Sequence, residues 1–208
     1  MSKATRTVRR SAAGAVAALA AVAGGLTGAG PAAAAPAAEP KPVASLDVQR
    51  YLGHWYQVAA VPALYEVQCL RNSAADYGAT DRGTVAVRNS CTSLFGLTST
   101  VKGDAKPLDA TGARLNVSFV RLGGTWTHTS TANYIVVGLD RDYRWAVVTD
   151  SARRSGFVLS RTPSLTAGQT GAARDALRAA GVDPCSLRTT AQDATAQGAG
   201  QQGGQRFC

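Results

Sequence analysis

Residues 51–62 read YLGHWYQVAAVP, with a glycine two places before a tryptophan at the head of a run rich in Val, Tyr and Ala. A tryptophan buries a large apolar surface yet carries an N–H that needs a partner, and glycine opens backbone conformations closed to other residues. Gly53 and Trp55 together therefore predict a fixed structural corner leading into a strand, WYQVAAV, and not a reactive site.

Seven more segments continue the pattern downstream: NSAADYGA, TVAVRNS, TSTVKGD, ARLNVSFV, NYIVVGLD, RWAVVTD and SGFVLSR. Each is short and rich in strand-favouring residues, and the breaks carry turn chemistry such as Asp81-Arg82-Gly83, Gly123-Gly124 and Asp140-Arg141-Asp142. Consecutive antiparallel neighbours follow. In RLNVSFV, Leu115, Val117 and Phe119 alternate with Arg114, Asn116 and Ser118, so one face is buried. Eight such strands make a sandwich or an up-and-down barrel, and closure into a barrel removes exposed edges. The expected fold is all-β: an eight-stranded antiparallel up-and-down barrel with one helix outside. That helix is predicted over about 167–180, with Thr166 as N-cap, an apolar stripe of Ala173, Leu177 and Ala180, and Gly181 and Pro184 as stops.

The first ten residues, MSKATRTVRR, carry four basic residues and no acid, and an Ala-rich apolar run follows. Residues 1–34 read as a secretory signal peptide cut after Ala34. Gly24, Gly25, Gly28 and Gly30 interrupt the run and argue against an anchoring span. The first cysteine is Cys69, far from the cleavage site, so the expectation is a secreted chain without a lipoprotein anchor. Removing Lys3, Arg6, Arg9 and Arg10 lowers the formal charge from +9 to +5, and the remaining cations are scattered, which speaks against nucleic-acid binding. Residues 35–45, Pro- and Ala-rich, are expected to be a flexible lead-in. One domain should span 46–185, followed by a Gln/Gly-rich tail, 186–208, closed by a disulfide and otherwise a loop or disordered unless tied down.

Four cysteines in an exported chain imply two disulfides. Cys69 opens the second strand candidate and Cys91 closes the third. A turn at 81–83 puts residue 91 opposite about residue 72, within reach of a bulge, so Cys69–Cys91 and Cys185–Cys208 are the expected pairs.

Three separate stretches resemble the lipocalin family, in its bacterial and apolipoprotein-D-like branch. YLGHWYQVA is similar to the family's Gly-x-Trp motif; YIVVGLDRDYRWAVV, 134–148, to the motif spanning the sixth and seventh strands; and LSRTP, 159–163, to the end of the eighth. The resemblance implies that Trp55 plugs the closed end with Arg161 laid across its indole, and that Gly53 lets the incoming helix or turn pass closely beneath the barrel. It also offers an alternative bridge, Cys69 to Cys208, which the sequence leaves open.

Family members mostly hold a hydrophobic molecule inside the barrel. With Arg161 pointing inward, strand parity sends Leu159 and Phe157 inward too, and Val117 and Phe119 share an apolar face with Leu115. The resemblance places Tyr77 and Asn89 toward the pocket, bringing Ala75, Val85 and Val87 with them, and adds Tyr134 and Val136. Such a lining suits an elongated apolar ligand with one polar end; with no Lys or Arg placed inside, a neutral or zwitterionic head near the rim is favoured over a deeply buried carboxylate, and fatty acids, lysophospholipids and similar lipids stay open. No cofactor, metal or covalent chemistry is expected. His54 and His128 lack ligand spacing and read as exposed turn residues; Asp140 and Asp142 read as turn caps; no Gly-x-Ser-x-Gly occurs. The alternatives are a lipocalin-fold enzyme of the isomerase type, and a protein that binds a partner through its open-end loops.

Overall fold

A computed structural model describes residues 38–208; the expected signal peptide, 1–34, lies outside the described residues. A one-turn helix α1 (Val48–Tyr51), capped by the Asp47 carboxylate, leads into strands β1 (Gly53–Ala60), β2 (Cys69–Ala79), β3 (Val85–Ser93), β4 (Thr98–Pro107) and β5 (Arg114–Ser118). A small hairpin, β6 (Arg121–Leu122) and β7 (Thr125–Trp126), interrupts the series. Then come β8 (Tyr134–Leu139), β9 (Trp145–Thr149), β10 (Gly156–Ser160), helix α2 (Ala167–Ala179) and a short β11 (Arg188–Thr189).

Every barrel pairing is antiparallel, in the order β10-β9-β8-β5-β4-β3-β2-β1, and β10 pairs back onto β1 to close the cylinder. The fold is thus an eight-stranded closed barrel with α2 outside. Thr166 caps α2 through a reciprocal box with Gln169, and the helix buries Ala173 and Leu177 against Val147 and Val158 of the wall. A second cluster fills the closed end with Leu46, Trp55, Val136, Ala146, Val148 and Leu159.

The lead-in departs from the sequence expectation, and the tail, whose order the sequence leaves open, is fixed. Residues 38–45, expected to be a flexible lead-in, lie against the barrel: Pro40 is fully buried, Val43 N–H donates to the Val136 carbonyl at 2.9 Å, and Glu39 pairs with Arg114. Proline brings no N–H to satisfy, so such a segment can be buried with few partners. The tail is equally fixed. Bulges between Cys69 and Ala74 turn β2 away from β1 beyond Tyr56, and β11 takes the vacated place beside Ala59 and Ala60. The fully interior Gln192 amide then donates to the Gln57 and Ser73 carbonyls, both at 2.9 Å, bridging the diverging strands, and Phe207 enters the α2 cluster. Low apolar content leaves such a tail a loop or disordered unless it is tied down, and the Cys185–Cys208 bridge and these side-chain amides tie it down.

Disulfides join Cys69 to Cys91 and Cys185 to Cys208. The first bridges strands brought into reach by the β2 bulges; the second closes the tail onto the turn after α2.

Candidate ligand-binding site

The closed end is built around Trp55, which is fully buried and donates its indole N–H to the Tyr51 carbonyl at 2.8 Å. The Arg161 guanidinium lies 3.7 Å from the centre of that ring and donates to the carbonyls of Arg50, Leu52 and His54. One side chain thereby satisfies the open C-terminal end of α1 and covers the plug. Gly53 earns its place through a φ of +91°, not through close packing; the nearest neighbour of an added Cβ would be the Arg161 guanidinium at 3.5 Å. Backbone freedom, rather than the close passage of the incoming helix that the resemblance implied, is the reason for a glycine here.

Above the plug is a cavity of about 760 Å³. Ala75, Tyr77, Val85, Val87, Asn89, Val117, Phe119, Tyr134, Phe157 and Leu159, all expected inside from the sequence, meet around it. Val136 does not. It shares Tyr134's inward parity but lies lower, packed in the closed-end cluster, because parity gives the side of the wall and not the depth. Phe119 sits just beyond the end of β5 and is 45% exposed, so it belongs to the mouth. Its ring fits over Gly103, where any Cβ would come within 2.8 Å of it.

Three phenols converge on the cavity. The Tyr51 and Tyr134 hydroxyls are 2.8 Å apart and those of Tyr77 and Tyr134 3.1 Å, so the chain of three uses two of its protons between themselves. Burial pushes Tyr77 up to about 12 and carries Tyr51 and Tyr134 well above the usual phenol range. They therefore stay neutral at physiological pH.

Sequence reasoning missed the lining from the β1–β2 connection. Tyr65, Glu66 and Gln68 reach the cavity there, and Asp150 and Ser155 reach it from the β9–β10 turn. Burial raises Glu66 above the usual carboxylate range. Burial works the same way on Asp150, but the Ser155 hydroxyl and the N–H groups of Arg154, Ser155 and Ala152 outweigh it and hold that carboxylate low. No Lys or Arg is among the lining residues described. The Asn89 Oδ1 atom is buried in the wall without a donor.

His128 also corrects the sequence reading. Its side chain is 13% exposed, and its Nε2 lies 3.0 Å from Asp104, whose carboxylate is 3% exposed. Its Nδ1 lies 3.1 Å from the Asn116 carbonyl. It pins the loop between β5 and β8 to the outside of β4 and does not face the cavity. His54 is exposed and contacts Asp76. Asp140 caps the β8–β9 turn by accepting from the N–H groups of Asp142 and Arg144.

The family model for the lipocalin-like domain matches residues 46–192. The chain belongs to the lipocalin-like family. Apolipoprotein D of Mus musculus is 30% identical over 154 residues, 71% of this chain and 78% of that protein. The outer membrane lipoprotein Blc of Escherichia coli K12 is 34% identical over 128 residues, 60% of this chain and 67% of that one. Among solved structures, insecticyanin from the tobacco hornworm Manduca sexta aligns over 79% of this chain and 89% of its own, with a TM-score of 0.58 at 15% identity. That likeness is one of fold. Proteins of this family generally bind small hydrophobic ligands.

Proposed function

We propose that the mature chain is an exported carrier that holds one elongated lipid in the barrel, with a lysophospholipid or another neutral or zwitterionic amphiphile preferred to a fatty-acid anion. The carrying observation is the cavity of about 760 Å³, walled by Ala75, Val85, Val87 and Leu159 and floored by neutral phenols. Its size lies within the range of small-molecule sites, roughly 300–1,000 Å³. Burying an acyl chain contributes about 0.8 kcal/mol per methylene.

The headgroup preference follows from charge. The ionisable carboxylates lining the cavity near the mouth are Glu66 and Asp150, with no cation beside them in the lining. A carboxylate ligand would meet like charge there, whereas a choline or amine head would be attracted. The spare phenolic proton on the floor can serve a hydroxyl or carbonyl oxygen. Two disulfides suit an oxidising compartment, which supports export of the chain from about residue 35. N-terminal sequencing of the secreted protein tests that boundary.

Native mass spectrometry of the secreted protein, then parallel titration with lysophosphatidylcholine and palmitate, tests the reading. Saturable one-to-one binding, tighter for lysophosphatidylcholine, supports it. Turnover of the bound molecule would favour the isomerase alternative, and a protein partner recovered with the barrel empty would favour the interaction alternative.

A further inference from the structure

The large apolar side chains exposed among the described residues are concentrated at one end of the barrel. Leu64 (89% exposed) and Val67 stand on the β1–β2 connection, and Leu94 and Phe95 (88%) on the β3–β4 turn. Leu97 is exposed on the same turn, and Val120 lies just past the end of β5; the rest of the β5–β8 loop folds back over the outside of β4, where His128 reaches Asp104. Isolated surface hydrophobics are ordinary, but apolar tips gathered on separate loops around one opening are not.

Two of these tips form one unit. Cys69 pairs in register with Ser93, and the Cys69–Cys91 disulfide ties the base of the first loop to the strand that carries the second. Leu70, also exposed, lies between them. The segment 92–101, TSLFGLTSTV, has no charged residue, and the only acid in 61–70, Glu66, contributes to the cavity lining. Arg71, exposed at the base of the first tip, is paired with Asp193 at 3.2 Å. The cavity opens among the same loops, since Tyr65, Gln68, Val101 and Phe119 line it.

We propose that this end docks on a lipid bilayer, inserting the β1–β2 and β3–β4 tips into the interfacial region with the cavity mouth facing the membrane. A bilayer is the occupant these observations select. It takes up separate apolar tips around a hole without a complementary rigid shape, and its interface suits aromatic and aliphatic tips on loops that carry almost no charge. A protein partner seated on the same ring would have to span or plug the mouth. Lipid exchange through the docked mouth rests on the carrier reading above; docking itself does not.

The test is flotation of the mature protein with vesicles of phosphatidylcholine, alone and mixed with phosphatidylglycerol. The protein should float with both kinds of vesicle. The variants Leu64→Glu and Leu94→Glu/Phe95→Glu change residues outside the cavity lining. Each should reduce vesicle binding by about tenfold or more, with an unchanged thermal midpoint and unchanged affinity for fluorescent lysophosphatidylcholine in solution. Flotation that survives both variants, or a wild-type protein that binds the lysolipid but never floats, overturns the proposal. A wild-type dimer made monomeric by the variants, without flotation, overturns it in favour of a second copy as occupant. Flotation lost in the variants from a protein that binds no lysolipid leaves docking standing and removes the carrier reading instead.

Discussion

Trp55 and Arg161 show how much of the barrel's closed end depends on one contact pair. Arg161 lies over the indole and donates to carbonyls of Arg50, Leu52 and His54, so its removal strips a cation–π contact and several charged hydrogen bonds at once. Arg161→Ala should lower stability by about 3 kcal/mol, measured by urea unfolding, while leaving lysolipid affinity nearly unchanged once folded. The cavity wall responds in the opposite way. Val87 is buried in it, and an arginine there would occupy the cavity and put a charge among the apolar side chains that receive the ligand. Val87→Arg should therefore reduce ligand affinity by at least about tenfold in a fluorescence titration. Phe119→Arg should do less, because position 119 is half-exposed at the mouth and the new charge can turn outward. Equal losses from the two would place Phe119 deeper than it stands. Alternation alone grouped Val117 and Phe119 with Leu115; the rest of this wall was legible only because the resemblance anchored one inward residue per strand and parity carried it to the neighbours. Val136 was misplaced because height along a tilted strand depends on the whole barrel, and no local pattern encodes it.

At the level of elements, the connections carry information that hydrophobic patterning does not. The β2 bulges both deliver Cys69 to Cys91 and open the gap that β11 and Gln192 fill. The tail is thus part of the wall's support. Cys185→Ser/Cys208→Ser should cost about 3 kcal/mol on the chain-entropy argument, read as a lowered unfolding midpoint. It should also raise hydrogen exchange at residues 188–207, where the tail leans on β1. An unchanged midpoint would mean that the Gln192 and Phe207 contacts hold the tail alone. The eight barrel strands and α2 could be read from alternation, turn residues and caps. The lead-in and tail could not, since their anchors are a buried proline and side-chain amides bonding to backbone carbonyls, which low-complexity composition conceals. His128 escaped notice for a similar reason, its partner Asp104 lying 24 residues away on another strand.

For the whole molecule, the barrel divides into a closed end held by Trp55 and Arg161, a cavity floored by phenols, and an open end bearing apolar tips. The phenols give the fold a pH signature. Their folded pKa values lie above the unfolded value of about 10. Their contribution is therefore complete below pH 10 and is lost as the pH rises toward about 12, the value for Tyr77. Thermal midpoints should fall steeply over that window, and Tyr77→Phe should make the fall shallower. A flat profile would contradict the burial of these hydroxyls. The central claim, a barrel that holds a lipid above Trp55, is tested most directly by titrating delipidated protein with lysophosphatidylcholine while following intrinsic tryptophan fluorescence. Saturation at one lysolipid per chain, lost in Val87→Arg but kept in Arg161→Ala, is the predicted result. No saturable change in the wild type, or equal binding by Val87→Arg, would contradict it.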